Sequence, residues 1–208
     1  MLTFYRVMVW LTLYCHIYYV WSKLHRLLFD RKYDDTRLPL FDKLDALETV
    51  VGKMVWRRDG WRSLWDAICT PQAAWAKFRM GKPAGDCDDI SVFALSRLVN
   101  MASRGELVYL GVQPWGQKCN IGLLSVPWFD KGSRKTGGHN VAVMKYVDRD
   151  SGEDRWAHMS NWYSGKMAWG FESLEQVVKN VCGGKASLGW ALADLNLKRW
   201  RYGRGSKI

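Results

Sequence analysis

Gly85-Asp86-Cys87-Asp88-Asp89 runs directly into Ile90-Ser91-Val92-Phe93-Ala94-Leu95, a cysteine set where an apolar helix begins. Val92, Leu95, Leu98, Val99 and Ala102 recur on one face of that helix, and Gly105 stops it. A thiol in a first turn meets unsatisfied backbone N–H groups and the positive end of the helix dipole, both of which favour thiolate. Asp86, Asp88 and Asp89 act the other way by placing negative charge beside the sulfur, although first-turn carboxylates also cap N–H groups.

Working outward, Lys82-Pro83-Ala84-Gly85 breaks the chain just before the cysteine. Thr70-Pro71 is a cap followed by proline at the first helical position, opening a short helix towards Met80. Leu40, Leu44, Leu47, Val50, Val51, Met54 and Val55 give an amphipathic helix over 39–57. Downstream, strands are expected over Leu107–Val112, Cys119–Val126, His139–Val147 and Arg155–Asn161. Ser173-Leu174-Glu175-Gln176 has capping-box spacing for a helix ending near Gly183-Gly184, and Trp190–Trp200 alternates as a last strand. Helices first and antiparallel strands later make an α+β domain, with the cysteine-bearing helix packed on the sheet.

Two further polar residues sit at element boundaries. Gly137-Gly138-His139-Asn140-Val141 puts a histidine at the opening of a strand, and Met159-Ser160-Asn161-Trp162 closes the next one. The polar segment 148–154 joins these strands as a hairpin centred near Ser151. That register sets Asn161 opposite about Val141, a diagonal step from His139, with Ser160 a competitor for the position. His158 then alternates to the opposite face. Cysteine, histidine and side-chain amide, in that order, supply nucleophile, base and orienter. Cys87 would attack a carbonyl carbon to give a thioester, which water or an amine resolves. His139 would take the thiol proton, forming a thiolate–imidazolium pair, and later protonate the leaving group; Asn161 would fix the ring. The Cys87 N–H, with Trp65 or Gln72, are the oxyanion donors in this reading. The bland alternative makes Cys87 a buried structural cysteine and His139 a strand-end histidine satisfied by backbone.

The 208 residues, 48% of them apolar and 13 of them Trp, suffice for one full-sized domain and exclude a disordered chain. Five cysteines at 15, 69, 87, 119 and 182, with no Cys-x-x-Cys, fit reduced thiols in a cytosolic setting rather than a disulfide framework. No metal site or cofactor is expected, since the close neighbours Cys15 and His16 point apart on a helix. The net charge is +11. Lys198, Arg199, Arg201 and Arg204 lie in an acid-free tail, 198–208, read first as a solvated basic surface and second as a nucleic-acid or polyanion contact.

Residues 1–38 form an aromatic N-terminal segment ahead of the main domain at 39–197. The apolar part of 2–22 contains Arg6 and His16, falls short of a membrane span and lacks a signal-peptide cleavage site. Three placements follow: packed on the domain, docked on a protein partner, or membrane anchor, in which the tyrosines favour protein contact and insertion ranks third.

Trp65-Asp66, Thr70-Pro71, Gly85-Asp86-Cys87-Asp88-Asp89, Gly138-His139 and Ser160-Asn161-Trp162, in this order, resemble the bacterial and phage transglutaminase-like cysteine peptidases, relatives of the papain-like fold. The resemblance covers roughly 60–165. It implies Cys87 as nucleophile, His139 as base, a peptide, isopeptide or glutamine amide substrate, and a viral origin, hence host cytoplasm or virion. The third member in that family is commonly Asp, where this chain has Asn161; papain-like enzymes use Asn. The competing expectation is an inactive descendant serving as a virion structural or adaptor protein that binds protein or nucleic acid.

Overall fold

The structure, a computed structural model, describes residues 13, 17–57, 67–112, 121–130, 132–161, 165–197 and 201–204. Helix α1 covers 17–25 and runs through a π-turn at Arg26–Asp30 into a 3-10 turn at Arg31–Tyr33. Three helices follow: α2 (Leu44–Lys53), α3 (Pro71–Arg79) and α4 (Cys87–Ser103). The strands are β1 (Ile121–Asp130), β2 (Lys135–Val147), β3 (Asp154–Met159) and β4 (Ala168–Phe171). After α5 (Leu174–Cys182) come β5 (Ala186–Ser187), β6 (Gly189–Ala193) and β7 (Arg201–Arg204).

These seven strands form an antiparallel sheet ordered β4-β3-β2-β1-β6-β7, with β5 also on β1. The α+β architecture is therefore as the sequence indicates. Alternation along the strands sorts the core into two layers. Leu123, Ala142, Met144, Ala157 and Met159 pack with Phe93, Leu95 and Leu98 of α4. Leu124, Val126, Val141 and Val143 pack on the other face with Val177, Val178 and Val181 of α5. Helix α4 is buried on nearly every side, and Trp75 of α3 stacks on its Phe93 with ring centroids 5.6 Å apart.

Local chemistry explains the helix starts. Thr70 accepts from the Ala73 N–H at 3.2 Å with Pro71 first in the helix, and Ser173 accepts from Gln176 N–H at 3.3 Å. Gly183 ends α5 in the left-handed conformation at φ 55°. Helix α2 is shorter than the expected 39–57, because Lys43 and Met54 are extended.

The expected strand Leu107–Val112 is instead a 3-10 turn at Val108–Leu110. Gly105 and Gly111 both take left-handed φ, which closes the chain on itself, while Leu107 and Val112 still bury their side chains. Strand β1 reaches further than foreseen, to Asp130. The expected strand 190–200 breaks after Ala193, where the Asp194 carboxylate accepts from Asn196 N–H at 2.9 Å and Leu197 turns to φ 57°. The chain then returns as edge strand β7, so Arg201–Arg204 belongs to the sheet rather than to a tail. Four-residue β4, met across a bulge between Trp156 and His158, is too short to show a period.

Of the three placements for the N-terminal segment, the described part packs on the domain. Ser22 Oγ accepts from Ile68 N–H at 3.0 Å and Arg26 Nε donates to the Ile68 carbonyl at 3.0 Å. Asp30 accepts from Thr70 N–H at 2.6 Å, and the Tyr19 and Ser125 hydroxyls are 3.0 Å apart. Among the described residues, no helix is long and apolar enough to cross a membrane.

Candidate active site

Cys87 is the first residue of α4 and is half-buried. Its two described relatives, Cys69 and Cys182, are buried. Burial pushes the Cys69 thiol well above its usual range, helped by the nearby Asp89 charge, and burial also pushes Cys182 up. Cys87 is thus the least buried of the described cysteines at 69, 87 and 182.

The helix start is fastened from three sides. Asp86 caps it by accepting from Asp88 N–H at 3.2 Å. Asp88 accepts from the Tyr18 hydroxyl of α1. Asp89 accepts from Cys69 N–H at 2.7 Å and lies 4.0 Å from Lys77 Nζ. Gly85 stands at φ 142° with Asp89 pressed against it, so close that a Cβ there would fall 1.8 Å from a carboxylate oxygen. The three carboxylates come within 4.8 Å of one another, the geometry of a cation site, but each already holds a protein donor. Burial, then the Asp88 charge, raises the Asp89 carboxyl well above the usual range. The first turn therefore carries less negative charge than three acids suggest.

Helix α4 meets the sheet next to His139. Ser91, one turn after Cys87 on the same helical face, donates from Oγ to the Asn140 carbonyl at 2.7 Å. The ladder between β3 and β2 ends at the Met159–Ala142 pair, two residues past Asn140.

His139 is 4% exposed and pairs with Val126 across β1–β2. Burial, with a smaller push from His158, lowers its imidazole to about 3, so the ring is neutral at physiological pH. A resting thiolate–imidazolium pair is therefore not what this environment favours. Alternation gives the His139 side chain the face of Val126 and Val141, towards α5, while Asn140 takes the α4 face.

The hairpin register is one residue tighter than the sequence suggested. Ala142 pairs with Met159, so one further step sets Ser160, not Asn161, opposite Val141 and on the His139 face. Ser160 is buried. Asn161 lies in a bend past the strand, and its side-chain oxygen is buried with no hydrogen-bond partner among the described residues. The same register corrects His158. It pairs with Val143, on the face of His139, where it is buried, 2.9 Å from Asn180 Oδ1 and stacked near Phe171. Burial lowers its imidazole too. The shift of one residue is the signal that was lost: an error of one inverts every face assignment.

Of the oxyanion candidates, Gln72 sits in the first turn of α3, half-buried, and Trp65 lies outside the described residues. Lys198 and Arg199 also lie outside them, while Arg201 is exposed on β7 and Arg204 ends that strand. Tyr18 and Ser91, which tie the helix start to α1 and β2, carried no motif in the sequence.

No protein-family model, curated protein or solved structure matches this chain.

Proposed function

We propose that the chain is a cysteine-nucleophile acyl-transfer enzyme with Cys87 as nucleophile and His139 as general base, acting on a peptide, isopeptide or glutamine amide bond. The observation that supports this reading is the Ser91 Oγ to Asn140 carbonyl contact at 2.7 Å, which ties α4, one turn after Cys87, to the strand residue that follows His139. In this reading neutral His139 takes the Cys87 proton as the sulfur attacks the carbonyl carbon, and because burial makes the resting ring a weak base, an acceptor must support the imidazolium that forms. The resulting imidazolium then gives that proton to the leaving group. The buried, unpartnered Asn161 oxygen is the acceptor such an imidazolium calls for, and Ser160 is the competing orienter on the same face as the ring. Transglutaminase-like identity rests on the sequence motifs quoted above.

The competing reading is an adaptor that keeps the fold without the chemistry, favoured by the alternation that gives His139 the α5 face. A p-nitrophenyl acyl ester separates the two. The enzyme reading expects a burst of nitrophenolate with one acyl group on Cys87, absent in Cys87→Ala and strongly slowed in His139→Ala. No acyl group on Cys87 in the wild type favours the adaptor.

A further inference from the structure

Among the described residues, helix α1 is held to the domain through one side. Tyr19, Ser22, Arg26 and Asp30, spaced three and four apart, face inward. The opposite side shows Ile17, Val20, Leu24, Leu27, Leu28 and Phe29 to solvent, at 61, 67, 42, 64, 59 and 55% exposure. Six exposed apolar side chains along α1 and its π-turn are far from the scattered surface apolars of an ordinary domain.

We propose that this face binds an anionic membrane surface, lying on it rather than crossing it. Charge selects the occupant. No Asp or Glu occurs before Asp30, and Asp30 is buried against Thr70. Lys23, Arg31 and Lys32 are exposed around the apolar stripe, with Asp34 and Asp35 only beyond the 3-10 turn. A parallel second copy would set these cations against their own kind, whereas an anionic bilayer neutralises them and receives the apolar side chains. Shape points the same way. The π-turn leaves Leu27, Leu28 and Phe29 all exposed in a row, too broad and irregular for the single seam of a helix pair, but acceptable to a fluid acyl layer. The inward side of the same helix holds Asp88 through Tyr18, so docking would bring the α4 start close to the bilayer.

The test is flotation of the full chain with phosphatidylcholine vesicles, with and without phosphatidylglycerol. Binding to the mixed vesicles is expected, weakened by salt and feeble without the anionic lipid. Leu24→Ser with Leu28→Ser should reduce it by roughly tenfold or more while leaving thermal unfolding unchanged, since both side chains are exposed. Three results overturn the proposal: no vesicle binding, binding that the double variant does not weaken, or binding indifferent to phosphatidylglycerol. Concentration-dependent dimerisation without vesicle binding, lost in the same variant, would assign the face to a second copy instead.

Discussion

Ser91 and Asn140 join the two halves of the proposed site: a helix hydroxyl donates to a strand carbonyl 2.7 Å away, across 49 residues of chain. Nothing in the sequence marks either residue, yet this contact sets where Cys87 stands relative to β2. Ser91→Ala leaves that carbonyl without its donor and is expected to cost about 1–2 kcal/mol, read by chemical denaturation. Thiol reactivity at Cys87 should fall with it, because the first turn loses its seat.

Gly85→Ala tests the tight corner before the cysteine. The new Cβ would meet the Asp89 carboxylate at 1.8 Å, at a backbone angle that side chains avoid. The expected outcome is a loss of roughly 2 kcal/mol or more in thermal or denaturant unfolding. A variant as stable as the wild type would mean that the corner relaxes freely.

The pH dependence of stability follows from His139. Its folded imidazole titrates near 3, against about 6.5 when unfolded, so the unfolded chain binds more protons between those values. Stability is fully present above about 6.5 and drains away as pH falls towards 3. His158, lowered by burial as well, adds to the same acid-side loss. His139→Phe should flatten that slope in acid denaturation curves.

Asp89 gives the opposite slope. Its carboxyl is raised above the unfolded value, so the native state holds the proton longer and loses this contribution as pH climbs through the folded range. Asp89→Asn keeps an oxygen for the Cys69 N–H and should remove that loss, which runs from 3.8 up to about 8, measured by thermal unfolding across acid to neutral pH.

What was legible in the sequence was what short-range chemistry decides. Thr70-Pro71 and Ser173 through Gln176 announce helix starts because the capping atoms lie within three residues, and the structure forms both bonds. The turn around Ser151 was placed within one residue, since Asp148, Ser151 and Gly152 carry the bend themselves. The remaining single-residue error moved His158 to the wrong face, and the true register sets Ser160, the stated competitor, opposite Val141. Register is settled by packing across the sheet, here Val141 and Val143 against α5, which no local pattern reports. Tyr18, Ser91 and Asn140 were invisible for the same reason: their partners are distant in sequence.

The central claim is that Cys87 and His139 act as a pair. Its most direct measurement is the rate of iodoacetamide alkylation at Cys87, mapped by mass spectrometry across pH, in the wild type and in His139→Ala. The account predicts that wild-type Cys87 reacts ahead of buried Cys69 and Cys182, and that removing the imidazole slows it by roughly tenfold or more at neutral pH. Equal rates and the same pH profile in both proteins would contradict it.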